Sequence, residues 1–143
     1  MSRFNVERFI NAQNNPYASY EQALAEIRQG RKTGHWIWYV FPQMKGLGFS
    51  YNSQYYGISS EEEALEYIHN EVLHSRLIEI TSALLSHKDK SAVDILGHTD
   101  AMKLKSSMTL FDAVCPNDVF AEVLSHFFSG RRCERTLRML QKA

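Results

Sequence analysis

Apolar residues recur at three- and four-residue spacing along most of this chain, the pattern of helices that bury one face. Val6, Phe9 and Ile10 with Gln13 form such a stripe from about Phe4 to Gln13, where Asn14, Asn15 and Pro16 stop it. Ser19, with Gln22 three residues on, reads as a capping box ahead of Ala23, Leu24 and Ile27, and Gly30 ends that segment. Ser60 precedes Glu61, Glu62 and Glu63, whose charges suit a helix N-terminus, with Ala64, Leu65 and Ile68 as the apolar side. Asn70 caps a longer helix to about His87, carried by Leu73, Leu77, Ile80 and Leu84. Ser91 with Asp94 starts a short helix through Leu96, closed by Gly97. Asp118 opens a strongly amphipathic one with Val119, Phe120, Val123, Leu124, Phe127 and Phe128, ended by Gly130. A last helix, about Glu134 to Gln141, turns Leu137 and Leu140 inward.

Two segments depart from simple amphipathicity. From His35 to Ser50 the chain reads His-Trp-Ile-Trp-Tyr-Val-Phe-Pro-Gln-Met-Lys-Gly-Leu-Gly-Phe-Ser, an aromatic run ended by a proline and a Gly-Leu-Gly turn. Burial of such a run is favoured by roughly 25 cal/mol per Å² of apolar surface, so the rest of the chain must cover it. Its residues favour strands, but alternation is missing and no second strand is available to satisfy its backbone groups. The expectation is a short buried helix ended by Pro42. The second segment starts at Thr99 or Asp100 and carries two apolar stripes, Leu104, Met108, Phe111 and Cys115, and Lys103, Ser107, Leu110 and Val114. A helix apolar on more than one stripe is deeply placed. The whole pattern predicts an all-α protein, a single compact domain over residues 1–143 with about seven or eight helices.

Composition narrows the functional classes. Sixteen basic and sixteen acidic residues leave no net charge, so any nucleic-acid or anionic-membrane binding would need a local patch. Arg131, Arg135, Arg138 and Lys142 form a basic row, more in keeping with a solvated helix face than a nucleic-acid footprint. No apolar run approaches the ~20 residues of a membrane span, and the first residues lack a signal-peptide pattern. The expectation is a cytoplasmic protein without nucleic-acid or membrane partners. Cys115 and Cys133 show no metal-type or redox-type spacing and read as small buried hydrophobes without a disulfide. No His-Glu-x-x-His motif occurs among the six histidines, so neither a metal nor a cofactor is expected.

Several of these pieces, taken in order, resemble a widespread bacterial family known as domain of unknown function 1810. They include Arg8-Phe9 with Ala12-Gln13, Tyr20-Glu21 with Ala23-Leu24, and Gly30 followed by Lys32. The most specific is His35-Trp36-Ile37-Trp38 through Phe41-Pro42-Gln43 to Gly46-Leu47-Gly48 and Ser50. Ile58-Ser59, the run Leu104-Lys105-Ser106-Ser107-Met108-Thr109-Leu110-Phe111, and Phe127-Phe128 with Gly130 complete the match. The resemblance implies a mainly helical fold over nearly the whole chain and implies no activity. Some members carry the label calpastatin, but that inhibitor is a disordered, proline-rich chain, whereas this one has three prolines and an aromatic core.

Both unusual segments mix polar residues into a core-like run, which suggests one shared cavity. A lysine, hydroxyls and a glycine turn suit a phosphate or carboxylate, and aromatic rings suit a base. The expected ligand is therefore an anionic, nucleotide-like small molecule. Trp36, Gln43, Gly46, Gly48, Ser50, Lys103, Ser106, Ser107 and Thr109 are its candidate contacts. His35 is the candidate general acid or base by its ordinary pKa, with Glu21 and Asp100 the nearby carboxylates, and whether any chemistry occurs stays open. A serine nucleophile is disfavoured because no Gly-x-Ser-x-Gly elbow is present. Two alternatives stand beside this reading: the hydroxyls bond back to their own helix, and the aromatic segment supports a non-catalytic protein-binding or adaptor surface. The sequence is silent on oligomeric state.

Overall fold

Polar side chains placed just ahead of apolar stripes start most of the helices. The computed structural model describes residues 4–142. Within them the elements run α1 (Glu7–Gln13), α2 (Tyr20–Gln29), α3 (Ile37–Val40), α4 (Tyr51–Tyr55), α5 (Glu61–His69), α6 (Glu71–Leu85), α7 (Ala92–Leu96), α8 (His98–Val114), α9 (Val119–Phe128) and α10 (Glu134–Lys142). Ser60 accepts from the Glu63 N–H, Asn70 from Leu73, and Ser91 from Asp94, whose carboxylate takes the Ser91 N–H in return. Each such cap contributes about 1 kcal/mol. Ser19 caps α2 through the Gln22 N–H, but the Gln22 side chain turns to Glu26, so the predicted box is only half made. Gly30 closes α2 in the left-handed region at φ 86°, which glycine alone adopts without strain.

The fold is all-α, with ten helices among the described residues where the periodicity suggested seven or eight. α4 is the element the pattern missed. Its five residues carry no apolar stripe, and it forms because Ser50 caps it through the Ser53 N–H. The aromatic run is the expected short helix, α3, and the nearest approach to a sheet is a single parallel bridge between Met44 and Ile58. None of the described helices is long and apolar enough to cross a membrane.

α8 is the axis, packed against α5, α7, α9 and α10. Leu104, Met108, Leu110 and Phe111 on it are fully buried. A line of rings crosses the core from Phe9 to Tyr67 (5.1 Å between centroids), Tyr67 to Phe111 (5.2 Å) and Phe111 to Phe120 (5.8 Å), joining α1, α5, α8 and α9. Aromatic pairs of this kind contribute about 0.5–1.5 kcal/mol beyond burial.

A buried carboxylate fixes where the aromatic run enters this core. Glu26 on α2 accepts hydrogen bonds from the Thr33 N–H (2.7 Å), the Gly34 N–H (2.9 Å), Trp36 Nε1 (2.9 Å) and Gln22 Nε2 (2.9 Å). Burial alone would raise its pKa, but the backbone bonds from Gly34 and Thr33 and the side-chain bonds outweigh it and hold the carboxyl at about 2. At the other end, Arg8 ties α1 to the end of α4 and to α5. It donates to the Tyr55 and Gly57 carbonyls and pairs with Glu63 at 2.8 Å. Gly57 sits between, with no room for a side chain: a Cβ there would come within 2.6 Å of the Lys45 backbone.

Two outcomes follow for stability. The Glu26 pKa is lower in the folded state, so its contribution is complete above the ordinary value of 4.5 and is lost as pH falls from there toward about 2. Glu26→Gln is expected to remove roughly 2–3 kcal/mol at neutral pH and to flatten the acid limb of stability, measured by urea unfolding at stepped pH. An unchanged acid limb contradicts this role. Gly57→Ala is expected to cost about 1–3 kcal/mol by overpacking, with the loss of amide-exchange protection confined first to Lys45 and Ile58, whose N–H groups make the bridge.

Candidate functional site

Pro42 follows the aromatic helix, the chain stays buried through Met44, and from Lys45 it runs as a loop whose Gly46 carbonyl faces Arg135 at the start of α10. Between this loop with α4, the first half of α8, and the first turn of α10 lies a cleft of about 700 Å³. That size suits a nucleotide-scale molecule. Trp38 and Leu47 supply its apolar surface, and Phe49 stands exposed at its rim. Lys103, Lys105, Arg132 and Arg135 supply four cationic side chains, against one acidic residue, Glu134.

These charges are held differently. The Lys103 ammonium stands 3.9 Å from the centroid of the Trp38 ring and 3.0 Å from one Asp100 oxygen, while Lys32 holds the other oxygen at 2.7 Å. Burial would raise the Asp100 pKa, but the two ammonium groups outweigh it and keep the carboxyl below its usual range. Arg132 pairs with Asp112 at 2.8 Å. Lys105 and Arg135 have no carboxylate at ion-pair distance among the described residues, and Arg135 reaches only the Gly46 carbonyl, at 3.4 Å. The acids that neutralise this region, Asp100 and Asp112, lie behind the wall and do not line it.

Gln43, Gly48, Ser50, Lys103 and Ser106 all line the cleft, so the structure brings the two unusual segments together. The other candidates sit elsewhere. His35 is exposed and outside the cleft, so it holds no proton at this site. Trp36 is fully buried, its indole N–H committed to Glu26, because the neighbouring Trp38 takes the outward position. Gly46 touches the cleft region only through its carbonyl. Ser107 is enclosed in the core, its hydroxyl without a partner among the described residues. The Thr109 hydroxyl donates to the Lys105 carbonyl and accepts from the Cys133 N–H, serving the α8–α10 junction. The bond back to the preceding turn thus holds for Thr109, while the single Ser106 hydroxyl proton is within reach of both the Met102 carbonyl at 3.2 Å and the Cys133 sulfur at 3.4 Å and serves one of them at a time. Glu21 is exposed on α2 and apart from the cleft.

Sequence reasoning missed Trp38, Lys105, Ser53, Arg132 and Cys133. Trp38 and Lys105 lay inside the chosen segments, and only the helical phase separates them from their neighbours. Of the basic row, Arg135 turns to the cleft while Arg131 and Arg138 are solvent-exposed outside it, and the Lys142 side chain lies outside the described residues. Cys133, read as a buried hydrophobe, is half-buried in the cleft wall, and it and Cys115 are free thiols.

The molecule is thus an all-helical protein with a cation- and aromatic-lined cleft across its central helix. Residues 3–140 match the family described as protein of unknown function (DUF1810), and the chain belongs to it. It is also similar to the crystal structure of the conserved hypothetical protein Rv1873 from Mycobacterium tuberculosis. The two are 40% identical with a TM-score of 0.93, over 98% of this chain and 99% of that one. No curated protein matches the chain.

Asp100→Asn tests the electrostatics of the wall. It removes the anion shared by two lysines, and the expected cost is about 1–3 kcal/mol, read by thermal unfolding and shrinking at high salt as the repulsion between the two ammonium groups is screened.

Proposed function

We propose that the cleft binds an anionic, nucleotide-like small molecule. The observation that carries this reading is the convergence of four cationic side chains with the Trp38 ring around about 700 Å³ of space, in a chain of zero net charge. Lys105 and Arg135, free of acidic partners among the described residues, suit the phosphate or carboxylate end through charge-assisted bonds. Phe49 and the Trp38 ring, one face of which Lys103 covers, suit a base, which stacks on aromatic rings. Gln43 and Ser50 add neutral donors and acceptors at the side of the loop. With His35 outside, the cleft has no histidine, and this reading is one of binding rather than of acid–base catalysis.

A second reading has its own support. Phe49, Tyr51 and Tyr55 are exposed, and the last two rings stack in parallel at 5.6 Å. Such a cluster suits a protein-contact surface, as an adaptor would need.

A thermal-shift panel of nucleotides, nicotinamide dinucleotide, ADP-ribose and sugar phosphates separates the two. A ligand at 100 times its Kd is expected to stabilise the fold by about 2.7 kcal/mol. Arg135→Ala, at an exposed position, is expected to weaken binding roughly tenfold, about 1.4 kcal/mol, while leaving the unliganded midpoint unchanged. Trp38→Phe is expected to abolish the ligand-induced change in tryptophan emission, since Trp36 is sealed in the core. No shift with any member of the panel removes the nucleotide reading and favours the aromatic surface.

A further inference from the structure

The start of α10 brings a cysteine into the cleft under unusual control. Cys133 immediately precedes Glu134, the first residue of this nine-residue helix, and its carbonyl accepts the first helical bond, from the Leu137 N–H. α8 grips it from two sides: its N–H donates to Thr109 Oγ1 at 3.0 Å, and its Sγ lies 3.4 Å from the Ser106 hydroxyl. The sulfur therefore occupies the position where a capping side chain meets the unpaired N–H groups of a first turn. Burial by itself would push the thiol up. Hydrogen bonds from Ser106 and from the first-turn N–H groups of Thr136 and Arg135 outweigh it and hold the thiol below its ordinary value. Of the donors around the sulfur, the Ser106 hydroxyl is the one at hydrogen-bond distance, 3.4 Å.

The remaining wall carries an independent sign of a ligand. Ser53 lines the same cleft from α4 and is only 2% exposed, yet its Oγ has no hydrogen-bond partner among the described residues. A Cβ at position 48 would come within 2.6 Å of that oxygen, so glycine there keeps the space beside it open on the cleft side. Buried hydroxyls are as a rule hydrogen-bonded, and a molecule in the cleft would supply the partner that the protein does not.

We infer that Cys133 is a nucleophilic modification site of the cleft, taking small electrophiles that carry a carboxylate. This rests on the reading of the cleft as an anion site: Lys105 and Arg135 would draw the carboxylate in beside the sulfur, and the sulfur would attack the electrophilic carbon. The sulfur pair forms the new C–S bond. The group it displaces leaves with the old bonding pair, so no oxidant or reductant is required, and the thiol proton passes to water before attack. Cys115 provides the contrast within the same molecule. Burial and the adjacent Asp118 carboxylate, 3.7 Å from its sulfur, raise its pKa, and it lies outside the cleft.

The test is competitive alkylation of the native protein with iodoacetate and with iodoacetamide, each thiol followed by peptide mass spectrometry. Cys133 is expected to react with iodoacetate at least about tenfold faster than Cys115, with its pH–rate midpoint the lower of the two. The ratio of charged to neutral reagent is expected to be higher at Cys133, and to fall toward the Cys115 ratio in Arg135→Ala and in high salt. Ser106→Ala is expected to raise the Cys133 midpoint without altering that of Cys115, a change that a purely structural role for Ser106 would not produce. Equal rates at the two thiols, or the same reagent preference at both, would overturn the inference. Thermal shifts measured on Cys133→Ser keep the two proposals apart. Nucleotide binding with an unreactive thiol defeats only the modification site, and a reactive, anion-selective thiol without any nucleotide shift defeats only the nucleotide reading.

Discussion

The placement of the cleft's aromatic wall depends on one buried carboxylate. Without Glu26, the Trp36 indole N–H would enter the interior with no acceptor, and the less buried N–H groups of Thr33 and Gly34 would lose theirs. The indole N–H alone would carry a desolvation cost of about 1–3 kcal/mol. A single ionised group on α2 satisfies all three, and Gln22 steadies it from the preceding turn. Trp36 is thereby locked inward. Two residues further along a tight helix, Trp38 points away from it toward the surface, where Lys103 lies across its ring. The orientation of the cleft's aromatic wall is thus decided from α2, an element that does not touch the cleft.

A second constraint is the division of charge across the wall. The chain is neutral overall, but its cations and anions are not interleaved at this place. Asp100 and Asp112 stand behind Lys103 and Arg132, fixing those side chains, while Lys105 and Arg135 have no such partner among the described residues. The inner pairs give rigidity and the outer cations leave a positive field in a concave, partly apolar space, where it is less screened than on open surface. The α10 N-terminus, whose first-turn N–H groups face the Cys133 sulfur, lies on the same side. The Thr109 bond to the Cys133 N–H and the Ser106 contact with its sulfur explain how α10 is held against α8 at this point.

Much of the fold was legible in the sequence because its signals are local. Ser60, Asn70, Ser91 and Asp118 cap where they were expected to, since a short polar side chain ahead of an apolar stripe needs only its own next three residues. The double-striped pattern of α8 announced a central helix, and the aromatic run, lacking a partner strand, formed the short helix that backbone satisfaction demands. The motif order pointed to the family that the match over residues 3–140 shows. α4 went unseen because a five-residue helix has too little periodicity to register, and its Ser50 cap sits in a loop.

The candidate site was legible as two segments and illegible as residues. Length, patterning and the clustering of polar groups in core-like runs brought Gln43, Gly48, Ser50, Lys103 and Ser106 to one place. Which of the two tryptophans, separated by Ile37, faces that place depends on the phase of a four-residue helix, and that phase is set by Glu26, ten residues before Trp36 in the chain. Likewise, Ser107 and Ser106 differ by one step around α8, enough to put one hydroxyl in the core and the other against Cys133. Arg132 and Cys133 come from the far end of the sequence and carry no local mark of their role; only the packing of α10 on α8 delivers them. The sequence by itself determined which stretches are helical and which are buried, because those follow from hydrogen bonding and hydrophobicity within a few residues. The tertiary structure alone decided which side chains share the cleft, because rotation about a helix axis and the docking of distant helices are settled by contacts that no local pattern encodes.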